Sequence, residues 1–348
     1  MKAVAVLAAL APLAWGYTVV DPANLPHKSE NGQLGYNDCS KYGDSATANC
    51  QTLWLNSIDD FCLYAPQNKG STIGNTEREV VSWCTKAGHG TRLIPKGTIT
   101  GAHFIKTPSY IQITGQLKGP NINIASGDEG GELDPHGADG NGNPIGAVVL
   151  STVPGTLTQI KEWTMFIGDG EFCVRACFNK AGAAAKCEHI YDVMGCYWNL
   201  PGNYNSGSFD TCAADEVKYP MGQYPVVKNG KTSISTWYQG VKPTPSAQPA
   251  AKSSQCKSQA TITAASYTTG RITTTTKATT TAKPTATSGS GSCSSCTNKV
   301  PANASRSCAS GTCSFTCNTG YKLNTKKTAC VCAKGYKKSA DGKTCVKA

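Results

Sequence analysis

Long apolar runs are almost absent from this sequence. Residues 3–13 form one, which is too short to span a bilayer, and no later stretch could span a membrane. Histidine is also scarce: the chain has five, and none follows His189, which argues against zinc ligation in its cysteine-rich tail. The HxH, HExxH and GxSxG patterns are missing, so no familiar metallopeptidase or serine-hydrolase motif is present.

The N-terminus has the features of an export signal. Lys2 precedes the apolar run, and Ala14-Trp15-Gly16 is a small-x-small cleavage pattern. We therefore predict a signal peptide over residues 1–16 and a soluble mature chain that starts near Tyr17. The expected location is extracellular or in a cell wall.

The eighteen cysteines are an even number, which in an oxidising compartment predicts disulfides. Nine lie before residue 240, an odd count, so Cys256 is expected to fold back and pair with them. The alternative is a bond between Cys256 and a tail cysteine, which would leave an odd number of tail cysteines to pair among themselves. Spacing does not give the connectivity. The predicted disulfide residues are Cys39, Cys50, Cys62, Cys84, Cys173, Cys177, Cys187, Cys196, Cys212, Cys256, Cys293, Cys296, Cys308, Cys313, Cys317, Cys330, Cys332 and Cys345.

Short alternating runs separated by turn residues predict a mostly β domain over residues 17–256, either a disulfide-rich sandwich or an irregular barrel. A short parallel β-helix is a further alternative for this domain. Residues 179–190 are expected to be a loop or short helix. The predicted strands are residues 92–94, 101–105, 110–113, 121–124, 147–150 and 163–167.

Two further segments follow the β domain. Residues 257–292 contain 13 threonines and few apolar side chains, which predicts a disordered, O-glycosylated linker. Residues 293–348 repeat C-x2-G-Y-K-x7-C and resemble the second half of an EGF-like module, although the acidic residues of calcium-binding EGF modules are missing. The N-glycosylation sequon is at Asn303.

Charge is unevenly distributed. Residues 17–240 hold 16 basic and 21 acidic side chains, whereas residues 293–348 hold ten basic and one acidic. An anionic wall or surface polymer is therefore a candidate partner for the tail, while nucleic acid is not expected for an exported chain. Solubility alone is the alternative explanation.

A polar run over residues 128–143 is the best candidate ligand site. Its oxygen donors suit calcium, but Pro144 and Leu150 break the EF-hand pattern, and a solvated surface loop is the alternative. We predict no transition metal and no cofactor, with calcium as the one ion that the loop could bind. The candidate residues are Asp128, Glu132, Asp134, His136, Asp139, Asn141 and Asn143, with His103 as a further member that could flank the loop.

Catalysis is not assigned by the sequence, and the pattern favours a non-catalytic protein. If the chain is an enzyme, glycoside hydrolysis is the alternative, because this chemistry needs two carboxylates across a cleft. The acidic candidates are too many to select a pair: Asp59, Asp60, Asp128, Glu132, Asp134, Glu162 and Asp192.

Several long motifs lie within roughly residues 38–240, at residues 54–62, 90–95, 101–104, 130–144, 162–164, 171–177 and 189–196. In these motifs the chain resembles the fungal secreted proteins known as macrophage-activating glycoproteins. The resemblance implies a fungal extracellular or cell-wall glycoprotein, and it assigns no catalytic residues. The expected partners are wall polysaccharide, host glycans or surface proteins.

Overall fold

The computed structural model describes residues 19–262 and six short strands of the tail. The chain divides into two compact units, Met1–Gly270 and Arg271–Ala348. The predicted signal peptide, most of the predicted linker and Asn303 lie outside the described residues. Within the described part, no helix is long and apolar enough to cross a membrane.

Strands dominate residues 19–262, as the alternating runs predicted, and the helices there are short. The strands of the larger unit are β1 (Thr52–Ser57), β2 (Asp60–Ala65), β3 (Val81–Cys84), β4 (Arg92–Leu93), β5 (Ile99–Lys106), β6 (Tyr110–Leu117), β7 (Gly131–Leu133), β8 (Val148–Ser151), β9 (Thr158–Ile160), β10 (Glu162–Ile167), β11 (Glu171–Cys177), β12 (Phe209–Ala214), β13 (Gln223–Lys228), β14 (Lys231–Thr236) and β15 (Ser253–Ser258). The α-helices are α1 (Ile73–Thr76) and α2 (Gly195–Asn199), and 3-10 turns cover Cys39–Lys41, Gly119–Ile122 and Ala184–Lys186.

The described strands of the smaller unit pair antiparallel as three two-stranded ladders. Their bounds are β16 (Ala304–Ala309) with β17 (Thr312–Cys317), β18 (Tyr321–Leu323) with β19 (Cys330–Cys332), and β20 (Tyr336–Lys338) with β21 (Cys345–Lys347).

Two sheets make up the larger unit. One has six strands in the order β4-β3-β2-β1-β8-β9, and the other has seven in the order β15-β12-β5-β6-β11-β10-β7. The strands β13 and β14 form a separate, exposed hairpin. Most neighbours are antiparallel, so residues 19–262 do not form the parallel β-helix that the sequence left open.

The two sheets share one hydrophobic core. Phe61 of β2 stacks on Phe172 of β11 with ring centroids 5.8 Å apart, and Tyr64 of β2 packs on Trp163 of β10, also at 5.8 Å. Burial of such large aromatic surfaces is the main force that holds two sheets together. The prediction of a disulfide-rich β fold is confirmed, in the form of a sandwich. Within residues 19–262 no closed barrel forms, because each sheet ends in edge strands.

One predicted strand is wrong. Residues 121–124 alternate Asn and Ile, yet the chain forms a 3-10 turn over Gly119–Ile122 and then a left-handed residue, Asn123, with φ 73°. Pro120 at the start of the turn fixes φ and removes a backbone donor, which favours a turn over a ladder. Ile122 and Ile124 still reach the core, so their alternation reflects burial without strand pairing.

Five disulfides reinforce the sandwich. They are Cys39–Cys50, Cys62–Cys84, Cys173–Cys196, Cys177–Cys187 and Cys212–Cys256. Cys256 therefore folds back onto the β domain, as the odd cysteine count predicted, and its bond joins β15 to β12. In the tail, Cys330 and Cys332 are disulfide-bonded.

Candidate functional site

A cleft of about 1000 Å³ lies beside β7, the edge strand of the seven-stranded sheet. Its size is at the upper end of the range for small-ligand sites. Carboxylates, two histidines and a few apolar side chains form its walls. They are Glu77, Glu129, Glu132, Asp134, Glu171, Asp192, His136, His189, Phe166, Ile167, Ile190 and Val193.

Strand pairing positions Glu132 in this wall. β7 pairs antiparallel with β10, and Glu132 stands opposite Phe166. The residue before β7, Gly130, has φ 94°, and a Cβ there would come within 2.3 Å of the carbonyl oxygen of Ile167. Glycine is therefore required for the chain to enter β7 so close to β10.

Glu132 is buried in the wall of the cleft. Burial, followed by the hydrogen bond and charge of Asp192 and the charge of Asp134, raises the pKa of Glu132 to about 10. Its Oε1 accepts a hydrogen bond of 3.0 Å from Thr164 Oγ1. Its Oε2 meets no N–H or hydroxyl donor among the described residues. The hydrogen bond between Glu132 and Asp192 favours the protonated form of Glu132.

Negative charge accumulates in the rest of the cleft. Burial and the charge of Asp134 raise the pKa of Glu77, while Arg78 opposes the shift. Asn143 Nδ2 donates to Glu77 Oε1 at 3.3 Å. A site with several carboxylates and one buried acid can bind either cations or groups that donate hydrogen bonds.

Some of the predicted loop residues line the cleft, and the others make hydrogen bonds outside it. Glu132, Asp134, His136 and Asn143 line the cleft. Asp128 Oδ2 accepts the N–H of Ile73 at the start of α1, at 2.8 Å.

Asp139 binds Arg78 through both oxygens, at 2.8 and 2.6 Å. These Arg78 hydrogen bonds hold the pKa of Asp139 well below its usual range. Asn141 donates its N–H to Asp139 at 3.1 Å. Calcium binding by this loop stays a prediction.

His103 lies elsewhere on the same sheet. It belongs to β5, four strands from β7, which is roughly 19 Å at the usual strand spacing. Its Nδ1 contacts Asp210 Oδ2 at 2.8 Å, and its Nε2 contacts the carbonyl oxygen of Asn205 at 3.0 Å. The structure therefore does not bring His103 to the loop of residues 128–143.

His136 instead meets two residues that the sequence did not group with it. His136 Nε2 lies 3.0 Å from Glu162 Oε2, and this hydrogen bond is the main cause of the raised pKa of His136. The ring of His189 stacks on that of His136, with centroids 4.1 Å apart and an interplanar angle of 12°. Sequence reasoning missed His189 and Glu77, and included Glu162 and Asp192 only among many carboxylates. No spacing motif connects these residues.

Comparison with known proteins gives two relatives. The appressorium protein ROW2 of Mycosarcoma maydis is 51% identical over 244 residues, which cover 68% of this chain and 81% of ROW2. The appressorium protein ROW1 of the same fungus is 50% identical over 234 residues, 66% of this chain and 53% of ROW1. The chain thus spans about half of ROW1. No family model and no solved structure matches. The chain belongs to the fungal family of the appressorium proteins ROW1 and ROW2.

Proposed function

We propose that this chain is a secreted, glycosylated fungal surface protein with a role in infection, and that its β domain binds a saccharide in the acidic cleft. The names of its relatives support the infection-related role, since both are appressorium proteins. The disulfides of the β domain suit an extracellular location.

The position of the buried Glu132 beside Asp192 in the cleft wall is the observation that carries saccharide binding. Glu132 donates to Asp192 and so holds this carboxylate in place. Asp192 keeps further lone pairs that can accept hydrogen bonds from sugar hydroxyls. Apolar side chains such as Ile190 and Val193 lie on the same wall and can contact the C–H face of a sugar ring.

Binding to insoluble polysaccharides tests this proposal. The purified full chain is mixed with particles of β-glucan or chitin, and the bound fraction is measured. We expect Asp192→Asn to weaken binding about tenfold or more, because it removes the charge of the main acceptor. Asp215→Asn makes the same change at an exposed residue outside the cleft and should bind like the wild type. Equal loss in both variants, or no binding to either polymer, would contradict the proposal.

Glycoside hydrolysis is the second candidate, and the raised pKa of Glu132 favours it. A carboxyl with a raised pKa beside a second carboxyl is the arrangement of a general acid and its partner. Release of reducing sugar from the same polymers would support hydrolysis, provided that Glu132→Gln abolishes it. Binding that proceeds without any release would leave the protein as a lectin.

The basic tail has a separate proposed role, which is to hold the protein at an anionic wall or surface polymer. Residues 293–348 carry ten basic side chains and one acidic, whereas residues 17–240 carry 16 basic and 21 acidic. The double change Lys337→Gln and Lys338→Gln should lower the salt concentration that extracts the protein from cell walls. Extraction at the same salt concentration as the wild type would contradict the tethering role.

A further inference from the structure

Three side chains from distant parts of the chain meet beside the cleft. His136 lies in the loop after β7, Glu162 begins β10, and His189 follows Cys187. One potential ligand atom from each lies within 4.8 Å of the other two. We propose that His136, Glu162 and His189 form a binding site for a divalent transition metal of the zinc class. This proposal does not depend on saccharide binding.

The covalent structure holds His189 against the strand that carries Glu162. Glu162 stands opposite Cys177 in the β10–β11 ladder. Cys177 is bonded to Cys187, two residues before His189. A second bond, Cys173–Cys196, anchors the other end of the same segment to β11. The approach of His189 to Glu162 is therefore built into the disulfide pattern.

Backbone hydrogen bonds position His136 as well. Asp134 Oδ1 accepts the N–H groups of His136 and Gly137, both at 2.7 Å, and this closes a tight turn. Asp134 also pairs with Asn143 through two backbone hydrogen bonds of 3.0 and 2.9 Å. His136 thus projects from a fixed turn, which limits the entropy lost when it binds a ligand.

An ion pair alone does not account for the third residue. His136 and Glu162 could pair without His189, yet the imidazole of His189 lies directly on that of His136. His189 Nδ1 is buried and has no hydrogen-bond partner among the described residues. An unpaired buried nitrogen is costly in a folded protein, and a metal ion can use its lone pair.

The ligand set matches zinc chemistry. Two imidazoles and one carboxylate are the protein ligands of many catalytic zinc sites, whose fourth position is open to water or substrate. At Zn–ligand distances of about 2.1 Å, tetrahedral ligand atoms lie about 3.4 Å apart. The 3.0 Å between His136 Nε2 and Glu162 Oε2 is near that value, so the adjustment falls on His189, whose ring must turn out of the stack. Both histidines line the cleft, so the open position can face it.

Cobalt substitution tests the site on the purified full chain. Co²⁺ in a four-coordinate protein site absorbs strongly in the visible range, and Zn²⁺ added afterwards should remove this absorption. We expect one Co²⁺ per chain for the wild type. His189→Ala and Glu162→Gln should each weaken uptake at least about tenfold, since each removes a ligand.

His89 provides a matched control. It contacts the Asp60 carboxylate at 2.7 Å, and its side chain is 16% exposed, against 15% for His136. No third ligand group joins that pair among the described residues. His89→Gln should keep the uptake of the wild type. Absence of uptake by the wild type, or equal loss in His89→Gln and His189→Ala, would overturn the proposal. Melting curves show whether each variant is folded. If only one of His189→Ala and Glu162→Gln folds, that variant alone tests the site.

Discussion

His103 lies in β5 of the seven-stranded sheet, and His136 lies in the loop after β7 of the same sheet. Each contacts a carboxylate, His103 that of Asp210 at 2.8 Å and His136 that of Glu162 at 3.0 Å. Around His103, Nδ1 contacts Asp210 Oδ2 and Asn203 Nδ2, and Nε2 contacts the carbonyl oxygen of Asn205. The side chain is 2% exposed. Around His136 the pairing is incomplete, because Nδ1 of the stacked His189 has no hydrogen-bond partner within the described residues. The same residue types thus build a closed, satisfied contact in one place and an open, partly unsatisfied one in the other.

This difference separates structural from functional polar groups. A fully paired buried group contributes to stability, and its removal leaves its partners unpaired. A buried group that lacks a partner in a cleft costs stability in the free protein and is available to a ligand. We therefore expect substitutions around His103 to reduce stability, and substitutions in the cleft to change binding with little loss of stability.

The largest expected effect is on stability at His103. His103→Ala removes a buried ring and its polar contacts with Asp210, Asn203 and Asn205, which should cost about 3 kcal/mol of unfolding free energy. The melting temperature should fall by roughly 10 °C. His189→Ala should cost less than about 1 kcal/mol, since Nδ1 has no protein partner to lose. Thermal unfolding followed by circular dichroism compares the two variants, and equal losses would remove the distinction.

The sequence predicted the features that depend on local pattern or on parity. The alternation in residues 101–105 and 110–113 predicted β5 and β6, and the odd cysteine count predicted the bond of Cys256. The alternation of residues 121–124 misled because burial, not pairing, places those isoleucines. The sequence predicted only part of the cleft, the residues of the 128–143 loop that line it. Asp192 and His189 reach it through the bridges of Cys177 and Cys173, and spacing does not give disulfide connectivity.

The next effect is a pH dependence that belongs to Glu132. Its folded pKa of about 10 lies above the ordinary value of an unfolded glutamate. Its favourable contribution to folding is therefore complete below the unfolded pKa and is lost as pH rises toward the folded pKa. Glu132→Gln removes this loss. The variant should gain stability relative to the wild type by up to about 1.4 kcal/mol per pH unit between pH 5 and pH 7.

Urea unfolding of both proteins at several pH values measures this gain. Glu129→Gln is the matched control, because Glu129 lines the same cleft with an exposed side chain. It should follow the pH dependence of the wild type. A constant difference between Glu132→Gln and the wild type across this range would mean that Glu132 is ionised in the folded protein, and the proton shared with Asp192 would then be excluded.

The smallest expected effect concerns Arg78 and Asp139, whose two hydrogen bonds form an ion pair on the loop beside the cleft. Their side chains are 34% and 48% exposed, so water and salt screen the attraction. Arg78→Gln should cost less than about 1 kcal/mol, and the difference from the wild type should shrink in about 1 M NaCl. Arg78 Nη1 also lies 3.3 Å from the carbonyl oxygen of Gly142. A loss well above that limit that persists in high salt would show that this contact holds the loop, and the cleft wall formed by His136 and Asn143 would then depend on Arg78.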